Sequence, residues 1–268
     1  MILLRDEVAI VTGSSGLGSG SEIARLFAEE GAAVVVTGRN ESRGRAVADA
    51  IVKTGGNATF IRADIGVESD CRSLVDATVA QFGRLTVLVN SAVVTTDDGT
   101  HLGALEGGGD GSVAAVTDAA WEWTMRINVT AVMWLCRWAI PAMQAAGHGS
   151  IVNIGSRVAE RAAPNLSAYV ASKGALNALT RSIAIDFAAD NIRCNTVAAG
   201  YIRGKEREGA LDPATMAWVK GMHLTAPPTT LDVARGAAYL ASSWSSAVTG
   251  HTLMVDGGGT VGRALQMG

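Results

Sequence analysis

A buried strand that leads through a glycine-rich turn into a helix is the feature that most constrains the fold of this chain. Residues 8–12 form a short apolar run, the letters GSSGLGSG follow, and residues 21–30 have the spacing of an amphipathic helix. Apolar runs and helical segments then alternate along the chain, which is typical of a parallel sheet covered by helices on both faces. The sequence therefore predicts an α/β fold, a doubly wound parallel sheet of about seven strands, in a single domain over residues 1–268.

The composition agrees with a sheet buried on both faces and argues against a nucleic-acid or membrane partner. Hydrophobic residues make up 48% of the 268 residues and charged residues only 18%, which leaves apolar surface to be covered between subunits. We therefore expect a homotetramer or a homodimer. The formal net charge is −3, so the chain lacks the basic field that attracts nucleic acid or an anionic membrane.

The cysteines and the first residues bear on metal binding and on the compartment. Cys71, Cys136 and Cys194 are widely spaced, with no Cys-x-x-Cys pair and no histidine cluster. We therefore expect buried free thiols, with neither a disulfide framework nor a metal site. Charged residues occur within MILLRDEV, and no apolar run is long enough to span a bilayer. These features favour a cytoplasmic protein.

The glycine-rich turn after the first strand is a candidate nucleotide-binding site. Glycines let the backbone approach a pyrophosphate, and a helix N-terminus offers unpaired N–H groups and the positive end of the helix dipole. Such a turn can also be no more than a tight turn, but its position after the first strand of an alternating chain favours the nucleotide. The candidate contacts are Gly13, Ser15, Gly16, Gly18, Ser19 and Gly20.

A second candidate site lies within residues 150–181. The apolar run at residues 151–154 predicts a buried strand, and the alanine and leucine spacing from Ser167 predicts a helix. Tyr169 and Lys173 are four residues apart on that helix and therefore share one face. Ser156 lies at the exit of the strand, 13 residues before Tyr169. A strand end, a loop and a helix can thus bring a hydroxyl, a phenol and an ammonium group together.

This stretch resembles the active-site segment of the short-chain dehydrogenase/reductase family, in which a serine after a buried strand is followed by Tyr-x-x-x-Lys. The resemblance covers essentially the whole chain. It implies a Rossmann-like fold and an NAD(P)-dependent oxidoreductase that acts on a ketone or a secondary alcohol. Asn128 resembles the fourth member of the family's catalytic set, beside Ser156, Tyr169 and Lys173. An asparagine inside an apolar helical stretch needs a hydrogen-bond partner, because its amide would otherwise be buried unpaired.

The resemblance also implies a role for each of these four residues. Tyr169 would exchange a proton with the substrate oxygen while a hydride moves between the nicotinamide and the substrate carbon. A free tyrosine has a pKa of about 10, and a cation at Lys173 would favour the phenolate. Ser156 would hold the substrate oxygen. Lys173 would also bind the nicotinamide ribose, and Asn128 would position a water that connects Lys173 to solvent.

The glycine turn departs from the family pattern Thr-Gly-x-x-x-Gly-x-Gly. Ending the pattern at residues 18–20 keeps the usual distance to the following helix and implies a one-residue insertion, whereas ending it at residues 16–18 comes one residue early. We prefer the first alignment. The choice decides which backbone amides of the turn would touch phosphate.

The residues after the second strand bear on the choice between the two nicotinamide cofactors. Gly38 stands where an NAD-preferring relative has an acidic residue, and Arg39 follows it. A guanidinium without that carboxylate suits a 2′-phosphate, so we predict NADP(H), with NAD(H) as the alternative. The resemblance implies further cofactor contacts at Asp64, Ile65, Asn90, Ala92, Gly200 and Ile202, besides Tyr169 and Lys173.

Two segments leave the substrate open. Residues 95–116 are rich in glycine and aspartate and about ten residues longer than the family's usual connection, so we expect a flexible insertion near the active-site mouth. Residues 203–228 are a candidate substrate lid. The chain could alternatively be a non-catalytic nucleotide-binding sensor or scaffold of the same fold. It could also reduce 3-oxoacyl groups on an acidic carrier docked by Arg203, Lys205 and Arg207.

Overall fold

The computed structural model describes residues 2–94, 109–202 and 213–262. Most of the expected insertion and the first part of the expected lid lie outside the described residues. Arg203, Lys205 and Arg207, the expected docking residues for an acidic carrier, lie outside them too. The described part of the lid segment contains one helix, Pro213–Gly221.

Seven parallel strands form one sheet in the described chain, which confirms the predicted fold class. The strands, numbered in chain order, are β1 Val8–Val11, β2 Ala33–Gly38, β3 Asn57–Arg62, β4 Val87–Asn90, β5 Gly149–Ser156, β6 Ile192–Ala199 and β7 Thr252–Val255. Their spatial order is β3-β2-β1-β4-β5-β6-β7. The order reverses direction between β1 and β4. In doubly wound sheets, ligands bind beyond the carboxyl ends of the strands at such a switch point.

Helices cover both faces of the sheet. They are α1 Ser19–Glu29, α2 Glu41–Lys53, α3 Glu68–Phe82, α4 Asp118–Met125, α5 Ala131–Ala146, α6 Ser167–Asp186, α7 Pro213–Gly221 and α8 Thr230–Ala241. Short 3₁₀ turns occupy Arg157–Ala159, Ala188–Asp190 and Ser243–Ser245. None of the helices in the described ranges is both long and apolar enough to cross a membrane.

The core consists of two apolar layers, one on each side of the sheet. Strand β1 shows how the sequence divides between them, since successive side chains of a strand point to opposite faces. Ala9 and Val11 belong to the layer beneath α1 and α8, where Phe27 of α1 is fully buried. Ile10 belongs to the layer beneath α3, α5 and α6. Burial on both faces explains why all four residues of β1 are apolar.

The apolar helical stretch that contains Asn128 is not one continuous α-helix. A five-residue π-helical turn, Arg126–Thr130, separates α4 from α5. One extra residue per turn shifts the side chains that follow around the helix axis, and such turns often occur at functional sites. Asn128 lies in the middle of this turn.

Candidate active site and cofactor cleft

Ser156 is the last residue of β5, and Tyr169 and Lys173 lie in the first two turns of α6. The loop between them begins with the 3₁₀ turn Arg157–Ala159, whose first residue follows Ser156 directly. The Ser156 hydroxyl accepts a 3.4 Å hydrogen bond from the backbone N–H of Val158. This bond orients the hydroxyl at the carboxyl end of the sheet.

Lys173 is the buried cation of the site. Its side chain is 3% exposed, and its Nζ donates a 2.8 Å hydrogen bond to the backbone carbonyl of Ile154. The Nζ lies 5.6 Å from the centroid of the Tyr169 ring. Burial lowers the pKa of Lys173 to about 8, because desolvation disfavours the charged form. At neutral pH the ammonium form therefore still predominates beside the phenol.

Asn128 has the hydrogen-bond partners that the sequence requires of a buried amide. Its Oδ1 accepts a bond of 2.9 Å from the backbone N–H of Val94, and its Nδ2 donates one of 3.1 Å to the Val94 carbonyl. The same Nδ2 donates to the hydroxyl of Ser172 at 3.1 Å. The side chain thus joins the π-helical turn to the chain after β4 and to α6.

Ser172 is bonded to two of the candidate site residues, although the sequence did not point to it. Its hydroxyl accepts the bond from Asn128 and donates one of 2.7 Å to the backbone carbonyl of Tyr169. It is fully buried, directly before Lys173. A serine one turn from a tyrosine carries no signal by itself. Only the packing of the π-helical turn against α6 shows that Ser172 connects Asn128 to Tyr169.

The glycines of the turn after β1 fall into two kinds. Gly13 has a φ of +65°, and a Cβ there would lie 2.7 Å from the Cα of Ala92. A Cβ on Gly20 would lie 2.5 Å from the carbonyl oxygen of Gly13. A Cβ on Gly16 or Gly18 would meet nothing within 4 Å. The first pair thus permits close packing of backbone on backbone, and the second pair borders open space.

Helix α1 begins at Ser19, two residues earlier than the sequence suggests, with Gly18 as its N-cap residue. The Gly18 N–H is bonded to the hydroxyl of Ser21. The turn therefore ends at the N-terminus of α1, and the two glycines that precede it, Gly16 and Gly18, have no side chain to block access. This is an arrangement that a pyrophosphate can approach.

Two alanine substitutions should separate these two kinds of glycine. We expect Gly20→Ala to lower the free energy of unfolding by about 1–3 kcal/mol, because its Cβ would overlap the Gly13 carbonyl. We expect Gly18→Ala to change it by less than about 0.5 kcal/mol, since its φ of 168° is extended backbone open to any residue. Urea unfolding of both variants measures this. A Gly18→Ala variant as unstable as Gly20→Ala would contradict the assignment.

At the end of β2, the side chain of Ser15 lies against Gly38. A Cβ on Gly38 would lie 2.1 Å from the hydroxyl oxygen of Ser15, so the Ser15 side chain occupies the space in which an acidic side chain would begin. Arg39 follows Gly38 at the carboxyl end of β2. At the end of β3, the Asp64 carboxylate accepts a 2.9 Å bond from the Gly66 N–H. Ile65 between them is partly buried against the apolar layer beneath α3 and α5.

The remaining candidate cofactor positions follow the ends of β4 and β6. Thr12 accepts bonds of 2.9 and 3.1 Å from the backbone N–H groups of Ser91 and Ala92, which ties the chain after β4 to the glycine turn. The Asn90 side chain is directed into the sheet, where its Nδ2 donates a 2.8 Å bond to Asn153. The Nδ2 of Asn90 is therefore engaged within the sheet.

Gly200 and Ile202 lie just beyond β6. A Cβ on Gly200 would lie 2.8 Å from the Cα of Asp256, so a side chain at this position would collide with the segment that follows β7. Ile202 is partly buried against the layer beneath α1 and α8. The sequence-predicted positions thus follow the ends of β1–β6 along one edge of the sheet.

Comparison with known proteins agrees with this architecture. A family model described as enoyl-(acyl carrier protein) reductase matches residues 11–260. A 3-oxoacyl-(acyl-carrier-protein) reductase from Chlamydia pneumoniae is 33% identical, over 96% of this chain and 97% of the relative. A cis-4-hydroxycyclohexanecarboxylate dehydrogenase from Sinomonas cyclohexanicum is 37% identical, over 95% and 97%. A crystal structure of a gluconate 5-dehydrogenase from Burkholderia cenocepacia J2315, in complex with NADP and tartrate, superposes with a TM-score of 0.87 at 30% identity, over 97% of this chain and 98% of that one.

The sheet topology, the strand-end site and these similarities together define the class. The chain belongs to the short-chain dehydrogenase/reductase family. It is an NAD(P)-dependent oxidoreductase of that family.

Proposed function

We propose that the protein transfers a hydride between NADP(H) and a ketone or secondary alcohol, with Tyr169 as the general acid and base. The observation that carries the proposal is the buried ammonium of Lys173, which lies 5.6 Å from the ring of Tyr169 on the helix that follows Ser156. An ammonium is costly to bury, and its position beside a phenol accounts for it chemically.

The four catalytic candidates have complementary tasks. Tyr169 would give its phenolic proton to a carbonyl oxygen during reduction and take it back from an alcohol during oxidation. Ser156 would donate a hydrogen bond to the same substrate oxygen. Lys173 would favour the phenolate by its charge, and Asn128 would hold the π-helical turn, the chain after β4 and α6 in register through its three bonds.

The residues along the cleft suit a dinucleotide. Gly16 and Gly18 leave the face of the turn open at the N-terminus of α1, where a pyrophosphate would bind. Gly13, Ser15, Ser19 and Gly20 would shape that turn, and the chain segments at Asp64, Ile65, Asn90, Ala92, Gly200 and Ile202 would line the rest of the cleft. When bound, the nicotinamide supplies or accepts the hydride.

Preference for NADP(H) would come from the end of β2. Arg39 offers a guanidinium to the 2′-phosphate, and Ser15 fills the space where the carboxylate of an NAD site would begin. We expect NADPH to bind at least tenfold more tightly than NADH, a difference of about 1.4 kcal/mol. We expect Arg39→Ala to weaken NADPH at least tenfold and NADH less than twofold. Fluorescence titration in one buffer measures all four constants, with exposed Arg43→Ala on α2 as the matched control. Equal affinity of the wild-type protein for the two cofactors would contradict the preference.

The substrate class is tested by turnover. The wild-type protein is assayed for NADPH oxidation with open-chain and cyclic ketones, and for NADP⁺ reduction with the matching secondary alcohols. Cyclic alcohols with a carboxylate belong in the panel because of the similar cis-4-hydroxycyclohexanecarboxylate dehydrogenase. Absence of turnover on the whole panel, with NADPH binding retained, would favour the sensor or scaffold.

A second candidate function is reduction of 3-oxoacyl groups on an acidic carrier protein. The observation in its favour is that this chain matches the family model and the Chlamydia pneumoniae relative, and that the descriptions of both mention an acyl carrier protein. Activity on a carrier-linked 3-oxoacyl group should then fall with added salt, because docking of an acidic carrier by Arg203, Lys205 and Arg207 would be screened. A carrier-linked substrate reduced no faster than the free acyl ester would count against this function.

The proposal includes a cytoplasmic enzyme that works as a homotetramer or a homodimer. Support for the oligomer comes from α6. This helix carries small residues such as Gly174, where an added Cβ would meet nothing within 4 Å. It also carries a large apolar side chain, Ile185, that is 79% exposed. Small residues on a helix allow a second helix to approach closely, and an exposed large apolar side chain favours burial against a second subunit.

A further inference from the structure

The first turn of the active-site helix α6 is held by a residue that is far away in sequence. The Asp110 carboxylate accepts a 3.0 Å hydrogen bond from the backbone N–H of Ala168 through Oδ1. Through Oδ2 it accepts a 2.8 Å bond from the N–H of Tyr169. The carbonyl of Gly111 accepts a 3.0 Å bond from the N–H of Ser167. The three consecutive N–H groups at the start of α6 are thus satisfied from outside the helix.

No residue adjacent to α6 provides these bonds. The N-cap residue, Leu166, makes no side-chain cap bond. The first N–H groups of any helix lack partners inside the helix, and buried N–H groups without a partner are costly. Ala168 is fully buried, so water does not reach its backbone freely. The carboxylate of Asp110 takes the place of the missing cap and also complements the positive end of the helix dipole.

Tyr169 is therefore held at both ends of its backbone. Its N–H is bonded to Asp110, and its carbonyl accepts a bond from Ser172, whose hydroxyl in turn accepts from Asn128. The Asp110 end of this chain of contacts comes from the unusually long connection between β4 and α4. Asp110 itself is half-buried, and a bond of 2.8 Å from the Gly111 N–H fixes its Oδ1.

We propose that Asp110 is a positioning residue that fixes the first turn of α6 and thereby the Tyr169 phenol relative to the substrate. The catalytic consequence rests on the proposed role of Tyr169. A nearby carboxylate disfavours ionisation of a phenol, so Asp110 contributes by position and not by activating Tyr169. A small displacement of a catalytic group lowers turnover without a matching loss of substrate binding.

Three variants test this proposal in the full-length protein. We expect Asp110→Ala to lower kcat for carbonyl reduction at least tenfold, with KM and the NADPH dissociation constant within threefold of wild type. Asp110→Asn keeps one oxygen acceptor. It should therefore recover at least a third of the decrease in log kcat that Asp110→Ala causes. Thr229→Ala is the matched control. It removes a side-chain cap from α8, where Thr229 accepts from the Asp232 N–H at 3.3 Å, and should leave kcat unchanged.

Amide hydrogen exchange supplies a readout that needs no substrate. Exchange in peptides covering residues 167–170 should be at least tenfold faster in Asp110→Ala than in wild type, and unchanged in Thr229→Ala. Unchanged exchange at these residues overturns the proposal whatever the assay shows, and so does a kcat for Asp110→Ala within twofold of wild type. If exchange accelerates but the wild-type protein reduces no carbonyl, the hold of Asp110 on Tyr169 stands and the proposed function fails.

Discussion

Replacement of Tyr169 by phenylalanine is expected to lower kcat for carbonyl reduction about a thousandfold, within the range that general acid catalysis supplies. The substitution removes only the phenolic oxygen and keeps the ring that lies 5.6 Å from the Lys173 Nζ. The backbone bonds of Tyr169 to Asp110 and Ser172 do not depend on that oxygen. The variant should therefore fold as the wild type does, and its dissociation constant for NADPH should stay within twofold of the wild-type value. Steady-state kinetics with NADPH and fluorescence titration measure the two quantities.

Tyr239→Phe is the matched control for this experiment. Tyr239 lies on α8, on the other side of the sheet, and packs against the layer beneath α1 and α8. The same loss of a hydroxyl there should leave kcat unchanged. A Tyr169→Phe variant that keeps more than a tenth of wild-type activity would exclude Tyr169 as the proton donor. The sensor or scaffold alternative predicts a different result, namely NADPH binding without carbonyl reduction in the wild-type protein itself.

The parts of the fold that depend on local pattern could be predicted from the sequence. The apolar run at residues 8–12 coincides with β1 to within one residue, and the apolar run at residues 151–154 lies within β5. The spacing of Ser156, Tyr169 and Lys173 likewise predicts a strand end followed by a helix, which the structure has. These strands are buried on both faces of the sheet, and such burial requires a run of consecutive apolar residues, which can be recognised in the sequence.

The parts of the site that depend on long-range contact could not be predicted. The π-helical turn at Asn128 is interpreted from sequence as continuous helix, because one extra residue per turn leaves the apolar character unchanged. Asp110 lies in a glycine-rich stretch without periodicity, 59 residues from the Tyr169 N–H that it binds. The hydrogen bond from Asn128 to Ser172, which are 44 residues apart, is a similar case. In each case the partner is chosen by tertiary packing, for which a single sequence has no local signal.

Lys173→Met is expected to change how the stability of the protein depends on pH. Burial lowers the pKa of Lys173 from 10.5 to about 8. Between these values the unfolded chain binds a proton that the folded chain does not, so stability from this group rises with pH. The difference amounts to about 3 kcal/mol, at about 1.4 kcal/mol for each pKa unit. Below pH 8 the folded protein carries the full cost of a buried ammonium, and above pH 10.5 it carries none.

The comparison between variant and wild type isolates this contribution. Burial raises the pKa of Cys71 and Cys136 to about 12, so the thiols lower stability above their ordinary pKa of 9.0. Their effect is the same in both proteins and cancels in the difference. Urea unfolding from pH 7 to 10.5 should show the stability of Lys173→Met relative to wild type falling by about 3 kcal/mol as pH rises. The exposed Lys53→Met should show no such trend. A constant difference for Lys173→Met would mean that its ammonium is not desolvated in the folded protein.

The free-energy cost of burying the Lys173 ammonium bears on why the site has a lysine at this position. Lys173 is charged at neutral pH although burial opposes the charge, and the group to which its Nζ donates a hydrogen bond, the Ile154 carbonyl, is neutral. Fold stability alone would favour an apolar side chain here. Loss of turnover in Lys173→Met, together with a gain in stability at pH 7, would identify the ammonium as a group whose benefit lies in the chemistry at Tyr169. A variant both less stable and inactive at pH 7 would instead assign Lys173 a structural role through the Ile154 carbonyl.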